Sequence, residues 1–225
     1  MHFQHLLDWG TLELPAIAKR LGATVVLSLH DYYLFCPIFD LLQPEGVPCG
    51  KAFACADDPD CLRCLAHDAG AEDTEESLRD YLAARRDKLL EVFLHADVLI
   101  APSDYVKAKF EAAYGLELAP KMRVIPHGIA DLGKAKEPTR GGRFRLGVFA
   151  NLTRRKGADM LLDTIRHLAS RRNLDIWHFG GAEERYARSL DAAGVQRTGV
   201  YRLEQLRQRA AGVDLALVPS VYEET

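Results

Sequence analysis

The sequence predicts an α/β protein with two doubly wound parallel sheets, and three observations carry that expectation. Nearly continuous apolar runs of strand length alternate with longer segments whose apolar residues recur at helical spacing, the pattern of strands covered on both faces. Helix punctuation stands at the right places, with Ser103 as an N-cap, Gly115 as a stop and Gly157 ahead of a periodic segment. Residues 131–142 (DLGKAKEPTRGG) collect Gly, Pro and charge, as an interdomain linker does. The expected organisation is a domain over 1–132 with a Cys-rich insertion over 36–76, a linker over 133–142, and a second domain over 143–225.

Residues 2–9 read as the tail of an apolar strand and a turn. Over 11–21, Leu12, Ile17, Ala18 and Leu21 space a helix, with Pro15 in its early part and Gly22 closing it. Residues 24–29 (TVVLSL) form a buried parallel strand that leaves His30 and Asp31 at its carboxyl end, where ligands gather in open α/β sheets. A turn-capping histidine and a capping aspartate fit the same positions equally well.

Residues 37–76 read as one long irregular segment. Cys49, Cys55, Cys61 and Cys64 fall in it as C-x5-C-x5-C-x2-C, which leaves three readings open: a structural zinc site supplying the missing core, buried free thiols, or a redox pair. With Cys36 the count is five, and an odd count in a chain whose first residues lack a signal-peptide pattern argues against a disulfide framework.

A helix over 77–96 puts Leu78, Leu82, Leu89, Val92 and Phe93 on one face and leaves Arg79, Arg85 and Arg86 to solvent. A strand over 97–101, a helix carrying Tyr105, Val106, Phe110 and Tyr114, and a strand over 122–125 complete the first half. In the second, strands over 144–149, 174–179, 195–198 and 215–218 alternate with helices over 158–170, 183–193 and 203–211.

Residues 147–157 (GVFANLTRRKG) bear the chemistry. They run from strand to helix through Arg154, Arg155 and Lys156, so mobile cations meet the positive end of a helix dipole in a place suited to a diphosphate. A solvated basic turn is the plainer alternative. Composition narrows the partners: 225 residues, 48% hydrophobic and with net charge -3, make a globular chain without the field that nucleic-acid binding needs. No apolar run reaches membrane-spanning length, and a cytoplasmic protein is expected.

Six stretches taken together resemble glycosyltransferase family 4. His30-Asp31-Tyr32-Tyr33-Leu34-Phe35-Cys36-Pro37 is similar to HDYW-x-x-CP, Ala101-Pro102-Ser103 to A-P-S, and Val124-Ile125-Pro126-His127-Gly128-Ile129 to V-I-P-N-G-I. Asn151 to Gly157 resembles the G-R-L…K-G loop, Gly180-Gly181 the glycine pair, and the ending from Pro219 to Thr225 the P-S-x-x-x-E-T motif.

The resemblance implies the GT-B fold, two Rossmann-like domains facing a cleft, here as an internal piece lacking both ends, whose open strand edges would favour self-association. It implies a retaining transferase that moves a sugar from a nucleotide-diphosphate-sugar to a glycan or lipid-linked glycan in bacterial surface polysaccharide synthesis. No metal is needed at the nucleotide, and the working place is the cytoplasm, peripheral to the inner face of the membrane. Lys156, with Arg154 or Arg155, would hold the diphosphate, since Asn151 stands where the family has arginine. Glu224 would bind donor-sugar hydroxyls, His30 would lie near the reacting sugar, and Gly180 and Ser220 would border the nucleotide. Two other readings remain: a degenerate module that binds nucleotide-sugar without turnover, and an epimerase on the same fold, which the P-S-x-x-x-E-T ending disfavours.

Overall fold

A computed structural model of the chain describes residues 1–7, 9–39, 41–51, 55–69, 73–128 and 142–221. The expected linker at 133–142 falls almost wholly outside them. Two compact units are formed, Met1–Gly128 and Ile129–Tyr222.

The first unit is built on a parallel sheet of β1 (His2–Phe3), β2 (Val26–Ser28), β3 (Val98–Ala101) and β4 (Met122–Val124), in that order. Leu27 and Leu99, both fully buried, are paired across its centre. Its helices are α1 (Leu14–Arg20), α2 (Pro59–Ala69), α3 (Glu75–His95) and α4 (Asp104–Tyr114). Ser103 caps α4 by accepting the Val106 N–H at 3.3 Å, and Gly115 ends it at φ 86°.

Two expectations change here. The segment over 37–76 is not wholly irregular, because it contains α2 and the start of α3. Asp58 starts α2 by accepting the Asp60 N–H at 2.9 Å ahead of Pro59, and Leu62 and Leu65 then pack on Leu78 and Leu82 of α3. Arg85 is not a solvent-facing residue. It is only 7% exposed, lies over the Tyr33 ring at 4.3 Å and donates to the Tyr33 carbonyl. Its position explains this: 85 continues the 78, 82, 89, 92 stripe, so the helix turns it inward.

The second unit is a parallel sheet in the order β7-β6-β5-β8, with β5 (Phe144–Phe149), β6 (Leu174–Phe179), β7 (Gln196–Arg197) and β8 (Leu215–Leu217). Helices α5 (Ala158–Leu168), α6 (Glu184–Ala192) and α7 (Leu203–Ala210) connect them. Val148, Leu152, Leu161, Ile165, Tyr186 and Leu190 belong to one buried cluster, which fixes α5 and α6 on the sheet. Among the described residues no helix is long and apolar enough to cross a membrane.

Replacing Arg85 by Leu should destabilise the first unit by about 1–3 kcal/mol in chemical denaturation, because the Tyr33 carbonyl loses its donor. Lys88→Ala on the exposed face of the same helix should change stability by less than ~0.5 kcal/mol.

Candidate functional site

Beyond Phe149 the chain leaves the sheet and is held by its backbone. Ala150 donates to the Phe179 carbonyl at 3.1 Å, and buried Leu152 donates to the Gly181 carbonyl at 2.8 Å while accepting from the Glu183 N–H at 3.1 Å. Thr153 then closes a tight turn. Its hydroxyl accepts the Lys156 N–H at 3.3 Å, and its carbonyl accepts the Ala158 N–H at 3.1 Å. The turn delivers Arg154, Arg155 and Lys156 in succession to the start of α5, where the helix dipole is positive. Asp159, in the first turn of α5, lies 3.8 Å from Arg154 Nε and accepts the Tyr186 hydroxyl at 3.0 Å.

Glycine is required at two of the crossings. Gly157 sits at φ 73°, and a Cβ there would fall 1.8 Å from the Pro219 carbonyl oxygen. Gly180 sits at φ 132°, with a Cβ position 2.1 Å from the Ala150 oxygen. The chain after β8 completes the convergence, since Val221 N–H and the Ser220 hydroxyl both donate to the Arg155 carbonyl, at 3.1 and 3.4 Å.

Asn151, Arg154, Arg155, Lys156, Gly180 and Ser220 therefore stand together past the carboxyl ends of three adjacent strands, β6, β5 and β8. Asn151 is near the glycine pair, its Oδ1 lying 2.5 Å from where a Gly181 Cβ would be. Glu224 lies outside the described residues. A cavity of about 360 Å³, lined by Arg145, Trp177, Gln205 and Arg209 among others, includes none of the predicted residues.

The sequence reading passed over His178. It is fully buried on β6, its Nε2 2.9 Å from the Ala150 carbonyl at the root of the loop, while Nδ1 has no hydrogen-bond partner among the described residues. Burial holds its pKa below the ordinary value, against the opposing effect of the Ala150 bond, so the ring is neutral near pH 7 and Nε2–H donates.

In the first unit, His30 follows β2 as expected. Its Nε2 is 2.7 Å from Gln4 Oε1, and its ring stacks on His127 at 5.0 Å and 20°. Burial lowers its pKa, and His127, His5 and His2 add to the effect while Asp31 opposes it. The Asp31 carboxylate accepts the Tyr33 N–H at 2.8 Å, the local turn cap that was one of the two readings, and burial raises its pKa. Tyr32 and Phe35 anchor this segment against Phe110, and the Tyr114 hydroxyl donates to the Leu34 carbonyl. The histidine cluster has a sequence signal, because His2, His30 and His127 all fall at or just past strand ends.

All five cysteines are half-buried, and none is joined in a disulfide among the described residues. Among the described residues, no group of three or more His, Cys, Asp or Glu side chains stands ready-made as a metal site.

No protein-family model matches the chain, and no curated protein matches it in sequence. Solved structures do share its fold. The chain is similar to HepE from Anabaena in complex with UDP, with a TM-score of 0.53 and 20% identity over 95% of this chain and 51% of HepE. It is also similar to a variant of TarM from S. aureus in complex with fondaparinux, α-GlcNAc-glycerol and UDP, with a TM-score of 0.56 and 9% identity over 93% of this chain and 36% of TarM. The chain spans about half the length of HepE and less of TarM. The architecture is the Rossmann-like α/β fold of the GT-B glycosyltransferases.

Two outcomes follow. Gly157→Ala should cost more than the ~1 kcal/mol typical of alanine at positive φ, because of the Pro219 clash, whereas Gly194→Ala, at φ 76° in open space, should cost about that much and no more. Both are read by urea denaturation. A histidine kept neutral by folding makes the unfolded state bind more protons, so its stabilising contribution is full above the unfolded pKa of about 6.5 and falls as pH drops below it. The loss of stability of the wild-type chain between pH 7 and pH 5 should be smaller in His178→Phe.

Proposed function

We propose that the chain carries the donor site of a glycosyltransferase that uses a nucleotide-diphosphate-sugar. The observation that supports this most is the convergence of the Asn151–Gly157 turn, Gly180 and Ser220 beyond three neighbouring strands, in a fold whose solved neighbours include HepE with UDP. Lys156 and one of the adjacent arginines hold the diphosphate and take up the charge that develops as it leaves. Gly180 and Ser220 border the nucleotide, and Glu224 receives hydrogen bonds from the donor sugar.

The domain over 143–225 is the donor side and that over 1–132 the acceptor side, joined through 133–142. His30 is assigned to the reacting sugar. Anomeric configuration is retained by a front-face displacement in which the departing phosphate accepts the acceptor's proton, without a metal at the nucleotide. The family 4 motifs support a glycan or lipid-linked glycan acceptor and work at the cytoplasmic face of a bacterial membrane.

Isothermal titration with UDP tests the phosphate site. Lys156→Ala should weaken binding about ten- to hundredfold, in line with the ~1.5–3 kcal/mol of a charge-assisted contact. Unchanged affinity would remove Lys156 from the site. Donor turnover is then measured with labelled UDP-sugars, and binding without turnover would favour the module reading.

A further inference from the structure

The cysteines of the first unit do not group as their spacing suggests. Cys36, Cys49, Cys61 and Cys64 line one small pocket of about 30 Å³, together with Leu41, Leu42 and Leu82. Cys55 is not part of that lining, and its backbone N–H instead donates to the Cys61 sulfur.

We infer that Cys36, Cys49, Cys61 and Cys64 form a tetrahedral thiolate site for a zinc ion, with Cys55 outside the coordination sphere. Three structural features carry this. Cys61 and Cys64 are three apart in the first turns of α2, so their side chains share a helix face, and Cys36 and Cys49 come to the same pocket from the loop between β2 and α2. The other polar groups of the lining are already engaged, Asp60 by Lys51 Nζ at 3.1 Å and Gln43 by Arg63 at 3.2 Å, and Lys51, which also bonds Asp58 at 2.5 Å, puts a cation close to the charge a four-thiolate site would carry. The apolar support is thin, since Leu62, Leu65, Leu78 and Leu82 are the buried residues of the cluster that joins α2 to α3.

On binding a divalent ion, four thiols release four protons to solvent as four S–Zn bonds form at about 2.3 Å, and the ion offsets the mutual repulsion of the thiolates. The sulfurs must close on the pocket centre to reach that geometry. The N–H···S bond from Cys55 to Cys61 is a second-sphere contact of the kind that tunes such sites.

The test is independent of any transferase activity. The wild-type chain, purified without chelator and reduced, should contain about one zinc per chain by elemental analysis. Titration of the metal-stripped chain with Co²⁺ should give the thiolate charge-transfer and d–d bands of a tetrahedral sulfur site. Cys36→Ser should lose the zinc and the four-sulfur spectrum, and Cys55→Ser should keep both. Zinc far below one equivalent in the wild type, with no tetrahedral Co²⁺ bands, would overturn the inference. Retention by Cys36→Ser with loss by Cys55→Ser would overturn this quartet in favour of the one that the C-x5-C-x5-C-x2-C spacing suggests. Should a variant fail to fold, the wild-type cobalt spectrum and its reversal by added Zn²⁺ still decide.

Discussion

The second unit depends on backbone passing backbone without an intervening Cβ. Gly157 lets the start of α5 approach the Pro219 carbonyl, and Gly180 lets the exit of β6 lie against Ala150. Because the contacts are between main-chain atoms, they fix three loops relative to one another regardless of the rotamers of the side chains they present. Long cationic side chains are costly in entropy to order, so a rigid backbone beneath them is what allows Lys156 and its neighbours to act from a defined origin. His178 extends the same principle into the core. Its ring reaches from β6 to the Ala150 carbonyl, so the first residue of the loop is held from inside the sheet as well as from the sheet's edge.

A turn closed by Thr153 has an electrostatic consequence. It aligns the N–H groups of the first turn of α5 with three consecutive cations, but it also brings Asp159 beside Arg154. The pair is exposed and so contributes little to stability. Its effect is on which cation meets an anion, because Arg154 divides its attention between the carboxylate and any ligand. Arg155 differs again, since its carbonyl accepts from both Ser220 and Val221 and so its backbone is tied to the β8 exit.

Strands and the basic turn were legible because each is a local signal. TVVLSL and FRLGVF are apolar at strand length, and Ser103, Gly115 and Gly157 are residues whose backbone chemistry ends or starts helices. What escaped reading was set by partners distant in sequence. Position 85 interrupts an apolar stripe, and the ring and carbonyl of Tyr33, 52 residues earlier, make an inward arginine tolerable. Helix α2 has few apolar residues and earns its place by docking two leucines on α3, although Asp58-Pro59 is a local start signal that composition obscured. His178 has the alternating position of an inward strand residue, but nothing nearby in sequence names the carbonyl it meets.

The two units meet different electrostatic demands, and their residues divide accordingly. Beyond β5 the second unit gathers the cationic side chains Arg154, Arg155 and Lys156. Past β2 the first unit sets His30 among His2, His5, His127 and a partly buried Asp31. Mutual repulsion and burial favour the neutral ring at His30, and burial favours the proton on Asp31. A neutral imidazole offers one donor and one acceptor, and His30 already spends one nitrogen on Gln4. The group left over can bond a hydroxyl, which has no charge to attract, better than it can bond a phosphate. Fixed cations suit an anion and a neutral imidazole suits an uncharged hydroxyl, so the donor and sugar roles proposed for the two units rest on different chemistry.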